Sequence, residues 1–427
     1  MINFGGKKMS SKKFFGFMVA LCLIGSVILS GCSKGAGGSA DGIKIGVTGP
    51  LTGPTANSGI ALKQGMEIAV EEWNEKGGIE IDGEKTKVKM FYEDNQGKPA
   101  QGVSAAEKLF NNENVDFLIG DAFSSSVTMA VMDLASQYEK PILSGEAVSG
   151  AISEKVEKDP DKYKYYWKGN FSSDAYGKTV YETIKSLIDS GEFKPKDKTI
   201  AFVIEDTDYG RSNVASAEEL FKKDGWKVVA FETVEVGYTD FYPQLTKMKS
   251  VKPDVLVSCF TAVSSGVALA KQFNETKMTA LHYGIYYPLR PEFAEEAQGA
   301  ADGLLWTPLF FDPELRENQK DLAAKVKEKY NVDATGDHAS GYDVMKLALS
   351  SIENAKSLDA NKIVEELSKI KIDALLGTYA FEQKNHTVRA GEGFISVPTA
   401  QIQNGKNAIV WPESIATSKY QPQSWVK

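Results

Sequence analysis

Ser124, Ser125 and Ser126 form a run of three hydroxyls between the strand-like stretch FLIGD and an apolar run that opens near Val127. Hydroxyls beside the free N–H groups of a helix start make a site for an anion such as a carboxylate. Simple capping of that helix needs only one serine. The run also stands where a strand ends, so it is read as part of a ligand site. Other groupings that could do chemistry fail on inspection. Residues 31–35 (GCSKG) have the spacing of a nucleophile elbow without its strand–turn–helix setting. Residues 177–179 (GKT) end like a phosphate loop, yet Ser172 stands where its first glycine is required. Residues 206–210 (DTDYG) open like a calcium loop, but its twelfth position is Ala217, which offers no carboxylate. His282, His338 and His386 are dispersed, with no paired histidines or cysteines to complete a zinc site. The expectation is a binding protein and not an enzyme, with no cofactor and no metal.

The elements that must position these residues alternate. From residue 43 the apolar periodicity predicts strands over 43–48, 88–92, 115–119, 141–144 and 165–168. Helices are predicted from about 59 to 76, over 99–111 and over 127–138. The pattern restarts with a strand over 199–205, a polar turn over 206–210 and a helix over 211–224. Strands over 226–234, 255–258 and 280–283 follow, separated by helices near 241–250 and 264–275. Helices over 314–330, 339–355 and 359–370 precede two last strands over 400–403 and 408–411. Such alternation predicts an α/β fold of two doubly wound parallel-sheet lobes. Ligands of such sheets sit beyond the carboxyl ends of the strands. The loops to watch are 49–58, 120–126, 144–149, 206–210, 260–264 and 284–288.

The N-terminus carries an address. Lys7, Lys8, Lys12 and Lys13 precede an apolar run over 14–29, which is too short to span a membrane comfortably and reads as an export signal. Its ending, Leu29-Ser30-Gly31-Cys32, resembles the bacterial lipobox, which implies lipidation of Cys32 and an anchor on the outer face of the cell membrane. Residues 33–42 (SKGAGGSADG) then form a flexible tether. Loss of the signal takes the net charge from −8 to −12. A chain this acidic, without a basic block, is not expected to bind nucleic acid or an anionic membrane surface. With 42% hydrophobic and 25% charged residues it is an ordinary globular chain, not a disordered, collagenous or multi-span one. Cys22 leaves with the signal and Cys32 takes lipid, so Cys259 stands alone and no internal disulfide is expected.

The stretch IKIGVTGPLTGPTANSGIALKQGMEIAVEEWNEKGGI from Ile43 resembles the opening of the Leu/Ile/Val-binding protein family. These are the type I periplasmic binding proteins that feed ABC importers. The resemblance continues in order through 92–109, 117–131, 139–153, 200–212, 300–311 and 338–352. It implies two lobes joined by three hinge crossings, near Gly169, Phe310 and Gly393, closing on ligand like a flytrap. Lobe 1 is then 43–168 plus 310–392 and lobe 2 is 169–309 plus 393–427, after a lipoprotein signal over 1–31 and a tether over 32–42. The implied partners are a small-molecule ligand and the permease and ATPase subunits of an importer. A sensory subunit would use the same flytrap.

The resemblance also implies site residues. Ser124–Ser126 correspond to the serine run that holds a ligand carboxylate. Ala147 and Val148 occupy the position of an Ala-Thr pair, so the threonine hydroxyl is missing here and only a backbone contact from Ala147 survives. The neighbouring Glu146 is expected to be solvated at the rim. Tyr209 stands where an aromatic ring lies against the ligand, and Thr261 and Tyr286 fall on the opposite strand ends. The family often has an acid near position 286 to pair with the ligand ammonium, and a tyrosine cannot offset a buried charge. Either Glu146, Asp121, Glu205 or Asp337 takes that part, or the ligand has no ammonium. Phe123, Phe260, Tyr283 and Tyr287 offer rings for a flat ligand, and Ser58 replaces a bulky apolar group. The expected ligand is a branched-chain or other neutral amino acid, with an aromatic carboxylate or a small amide or urea as the alternative.

Overall fold

The computed structural model describes residues 42–426 apart from 308, 310 and 315. The signal, Cys32 and the crossing expected near Phe310 lie outside the described residues. Strands that read as unbroken apolar runs become the buried centres of two sheets. The chain first lays down β1 (Ile43–Gly49), a hairpin of β2 (Ile79–Ile81) and β3 (Glu84–Thr86), then β4 (Val88–Asp94), β5 (Phe117–Asp121), β6 (Ile142–Ser144) and β7 (Tyr166–Lys168). It then builds β8 (Thr199–Glu205), β9 (Lys227–Val234), β10 (Val255–Phe260), β11 (Leu281–Tyr286) and β12 (Leu305–Thr307). It comes back for β13 (Lys371–Asp373), β14 (Thr378–Glu382) and β15 (Thr387–Val388), and ends with β16 (Thr399–Gln403) and β17 (Lys406–Trp411).

The first sheet has the order β13-β14-β15-β7-β6-β5-β1-β4, and the second β17-β16-β12-β11-β10-β8-β9. The chain therefore passes between the sheets three times, after β7, after β12 and after β15. Pairing is parallel from β4 to β15 in the first sheet and from β9 to β12 in the second. The remaining edges, β13-β14-β15 and β12-β16-β17, are antiparallel. The expected parallel, doubly wound centres are thus present, with antiparallel strands added at the edges. Of those edge strands β16 and β17 match the strands expected over 400–403 and 408–411, whereas β13, β14 and β15 are only two to five residues long and were not expected.

Helices cover both faces. They are α1 (Ala56–Glu75), α2 (Pro99–Lys108), α3 (Ser125–Val131), α4 (Leu134–Tyr138), α5 (Gly150–Lys158) and α6 (Asp174–Asp189), then α7 (Asp208–Lys223), α8 (Tyr242–Val251), α9 (Val263–Glu275) and α10 (Pro291–Ala297), and finally α11 (Glu317–Tyr330), α12 (Gly336–Ala355) and α13 (Ala360–Lys369). α1 packs on α12 beside the first sheet, and α6 on α7 beside the second. The single helix expected over 127–138 is two short ones, α3 and α4, broken at residues 132–133. The turn expected over 206–210 shortens to 206–207 and the chain is helical from Asp208, where the Thr207 hydroxyl accepts from the Gly210 N–H and caps α7. Gly210 reads as a breaker but serves close approach: a Cβ there would stand 2.1 Å from the Glu205 carbonyl oxygen. Cys259 is a free, buried thiol in β10. Among the described residues no helix is long and apolar enough to cross a membrane.

Candidate functional site

The carboxyl ends of β5 and β6 supply one wall. Asp121 closes β5 wholly buried, accepting from Asn95 Nδ2 at 2.6 Å and from the Ser124 N–H. Burial pushes its pKa up to about 7 against those donors. Asp121 thereby bends the chain into the serine run. Ser124 caps α3, its hydroxyl accepting from the Val127 N–H at 3.4 Å. The Ser125 hydroxyl accepts from the Ser149 N–H at 3.2 Å, and that of Ser126 from the Asp208 N–H at 3.4 Å. Each serine oxygen therefore acts as an acceptor, and its own proton remains to be donated. α3 has only seven residues, so the hydroxyl protons, more than a long helix dipole, are what this wall offers an anion.

The loop after β6 carries Glu146, Ala147 and Val148. Lys168, fully buried at the end of β7, fastens this loop by donating to the carbonyls of Val148 (2.9 Å) and Ser149 (3.1 Å) and to Ser153 Oγ (3.2 Å). Burial lowers its pKa to about 7. Ala147 packs into the core among Val127 and Ile152 and does not line the cavity described below. Glu146 corrects an expectation, because it is 5% exposed and not a solvated rim residue. Its Oε2 lies 3.1 Å from the Tyr286 hydroxyl, while Oε1 has no hydrogen-bond partner among the described residues. Burial, with the neighbouring charge of Asp337, pushes its pKa well above the usual carboxylate range. One phenolic proton cannot serve both Glu146 and Asp337, whose Oδ1 lies 2.9 Å from the same hydroxyl. A neutral Glu146 beside an ionised Asp337 resolves that competition.

The second sheet supplies the facing wall. Glu205, the last residue of β8, is 1% exposed. Its carboxylate accepts from the Thr261 N–H at 2.7 Å, from Thr261 Oγ1 at 2.8 and 3.0 Å, and from Thr207 Oγ1 at 3.1 Å. Burial moves its pKa up to about 7, and the Thr261 donors oppose that shift. Tyr209 sits in the first turn of α7, and its buried hydroxyl has no partner among the described residues. Tyr286 ends β11 with φ +74° and ψ −55°, a strained backbone conformation for a side chain other than glycine. From there the phenol hydroxyl meets Glu146 and Asp337, beside the first sheet. Behind it Arg290 donates to Asp337 Oδ2 at 2.8 Å and to the Asn57 carbonyl at 3.1 Å.

These walls enclose a cavity of about 250 Å³. Phe123, Ser124, Ser125, Ser126, Glu146 and Val148 line it from the side of the first sheet, and Glu205, Thr207, Tyr209, Thr261 and Tyr286 from that of the second. Seven of the eight expected ligand-binding positions are thus brought together, Ala147 excepted. Phe123 and Tyr209 flank the Tyr286 ring with centroids 5.9 and 6.2 Å away. The other rings expected in the cleft are core. Tyr283 bonds Thr399, Tyr287 bonds Ser258 at 2.9 Å, and Phe260 packs on Phe241. Tyr176 and Asn170 also line the cavity and carry no strand-end signal, since they follow the first passage between sheets. Among the described residues no group of three ligating side chains could hold a metal ion.

With that geometry in place, a model of the periplasmic binding protein family matches residues 42–401. The Leu/Ile/Val-binding protein homolog 7 of Brucella suis biovar 1 (strain 1330) is 28% identical over 399 residues, covering 90% of this chain and 95% of that protein. Of solved structures, the branched-chain amino acid transporter substrate-binding protein LivJ from Streptococcus pneumoniae, in complex with isoleucine, superposes with a TM-score of 0.73 at 23% identity. That match covers 87% of this chain and 100% of the other. A solute-binding protein of an ABC transporter from R. palustris, in complex with benzoate, gives a TM-score of 0.73 at 16% identity over 90% of this chain and 99% of its own. At these identities the structural likeness is one of fold.

Proposed function

The chain belongs to the periplasmic binding protein family, and from that premise we propose that it is the extracytoplasmic solute-binding component of an ABC importer, taking a branched-chain or other neutral amino acid between its lobes and passing it on unchanged. The observation that carries this reading is the cavity itself, small and walled by strand ends of both sheets, with three serine hydroxyls free to donate to a carboxylate. Its volume, below the usual ligand-pocket range of roughly 300–1,000 Å³, suits a ligand of amino-acid size. The ligands of the relatives support the same class. A second reading, an aromatic carboxylate, is favoured by the rings of Phe123, Tyr209 and Tyr286 and by the benzoate-bound structure. In this proposal residues 1–31 are removed, Cys32 carries lipid, and the hinge crossings near 169, 310 and 393 let the lobes close.

A thermal-shift panel of amino acids and aromatic acids tests the reading on protein unfolded and refolded to strip carried-over ligand. A ligand at a thousand times its dissociation constant adds about 4 kcal/mol of apparent stability. Stabilisation by a neutral amino acid supports the first reading, by an aromatic acid alone the second, and by neither removes both. Ser124→Ala should weaken a carboxylate ligand more than tenfold, since charge-assisted bonds contribute roughly 1.5–3 kcal/mol. Loss of the α3 cap costs about 1 kcal/mol of stability separately. Calorimetry showing unchanged affinity takes Ser124 out of the site.

A further inference from the structure

We propose that Glu205 is the residue that makes this cavity select ligands bearing a protonated amine, acting from the end of β8. The inference rests on the amino-acid reading above and names the group that would enforce it. Glu205 is a buried carboxylate on the cavity wall whose donors, the Thr261 N–H and the Thr261 and Thr207 hydroxyls, are all neutral. Those bonds fix the carboxylate in place and favour its charged form, yet none supplies a positive charge. A buried anion in that state is compensated only if the ligand brings the cation.

The other acids near the site are placed differently. Asp337 pairs with Arg290, and Asp121, held by Asn95 and the Ser124 N–H, does not line the cavity. Glu146 shares the Tyr286 hydroxyl with Asp337, and burial together with the Asp337 charge favours its neutral form. An independent observation points the same way. The Tyr209 hydroxyl and Glu146 Oε1 are buried on this cavity's wall with no hydrogen-bond partner among the described residues. A primary ammonium has three N–H groups. Glu205, Tyr209 and Glu146 give it one charged and two neutral acceptors. A 2-hydroxy acid of the same shape brings one donor and no charge, and it leaves Glu205 buried and unpaired. A site built on such bonds rejects the analogue lacking them by a factor on the order of a hundredfold or more.

The test is calorimetry on the full chain in detergent, ligand-stripped by refolding. Alanine, valine, leucine, isoleucine, threonine and phenylalanine are each titrated against the matching 2-hydroxy acid, with benzoate alongside. In the unaltered protein at least one amino acid should bind on the order of a hundredfold tighter than its hydroxy acid. Glu205→Gln should bring the pair within about tenfold, whereas Glu205→Asp, which keeps the charge, should hold an intermediate preference. A purely structural role for Glu205 would lower stability or both affinities and leave their ratio alone. If Glu205→Gln does not fold, the Glu205→Asp ratio decides, and a ratio equal to that of the unaltered protein overturns the proposal. An amino acid bound with its preference intact in Glu205→Gln overturns it too, while the amino-acid reading stands. Hydroxy acids or benzoate bound as tightly as amino acids overturn both, as does binding of nothing in the panel.

Discussion

Burial without a cation raises the pKa of Glu205 to about 7, and the direction has a consequence for stability. The folded chain holds this proton up to about pH 7, whereas the unfolded chain releases it near 4.5. Between those values the folded state binds more protons, so its contribution to stability is present at low pH and is lost as the pH rises. Tyr209 and Cys259 face the same carboxylate, and burial keeps both neutral over that range, so neither cancels the effect. Glu205→Gln, compared with the unaltered protein in ligand-free urea unfolding, should therefore gain relative stability from pH 5 to pH 8, by up to about 3 kcal/mol. A difference that stays flat with pH would mean that the carboxylate is not burdened by burial. Comparison with the variant removes the opposing titration of His282 and His338, whose pKa values burial lowers to about 3. At this scale the sequence was a partial guide. Ser124, Tyr209, Thr261 and Tyr286 were legible because strand ends in such sheets face the cleft. The burial of Glu146 was not, because it depends on Tyr286, 140 positions away, and on Asp337 and Arg290 closing over it.

Helices α1 and α12 meet at glycines, which lets their backbones touch. A Cβ on Gly65 would stand 1.9 Å from the His338 carbonyl oxygen, and one on Gly341 2.1 Å from that of Leu62. No side chain can yield there, so backbone must move. Gly341→Ala should cost about 1–3 kcal/mol, the usual penalty for overpacking, and lower the urea midpoint without changing the slope. A midpoint within error of the unaltered protein would show that the two helices can slide apart freely. Each of these helices was legible from its apolar stripe. Their pairing was not, since periodicity says which face is buried and not which distant element covers it. The same limit explains α3 and α4, where an apolar stripe runs through a break at residues 132–133 that tertiary packing imposes. Tyr209 moved from turn to helix for a reason equally invisible in a stripe, the close passage of Gly210 over the end of β8.

Over the whole molecule the alternation of strands and helices was enough to give two doubly wound sheets, but the bonds between them came only with the structure. Arg290, which follows β11 of the second sheet, reaches Asp337 at the start of α12 and the Asn57 carbonyl at the start of α1. Tyr286 reaches the same Asp337, and the Gly150 N–H meets Ser212 Oγ at 2.7 Å. If the two sheets part in the proposed hinge motion, these contacts are lost, so in that proposal they favour the closed form before any ligand contributes. Arg290 and Asp337 are 7% and 0% exposed, a depth at which removing one partner leaves the other charge stranded. Arg290→Met keeps the apolar stem and removes the charge, so its cost falls on the closed state, where Asp337 has no water. Breaking a buried pair costs roughly 3–5 kcal/mol, and in a molecule able to open much of that should appear as opening. The ligand-free variant should then scatter X-rays with a larger radius of gyration, and its ligand affinity should fall by more than tenfold, because part of the binding energy must now drive closure. Arg290→Met combined with Asp337→Asn strands no charge and should recover much of the affinity. If the single variant keeps both the radius and the affinity of the unaltered protein, the Arg290–Asp337 pair does not hold the lobes, and closure must rest on the rings and serines that line the cavity.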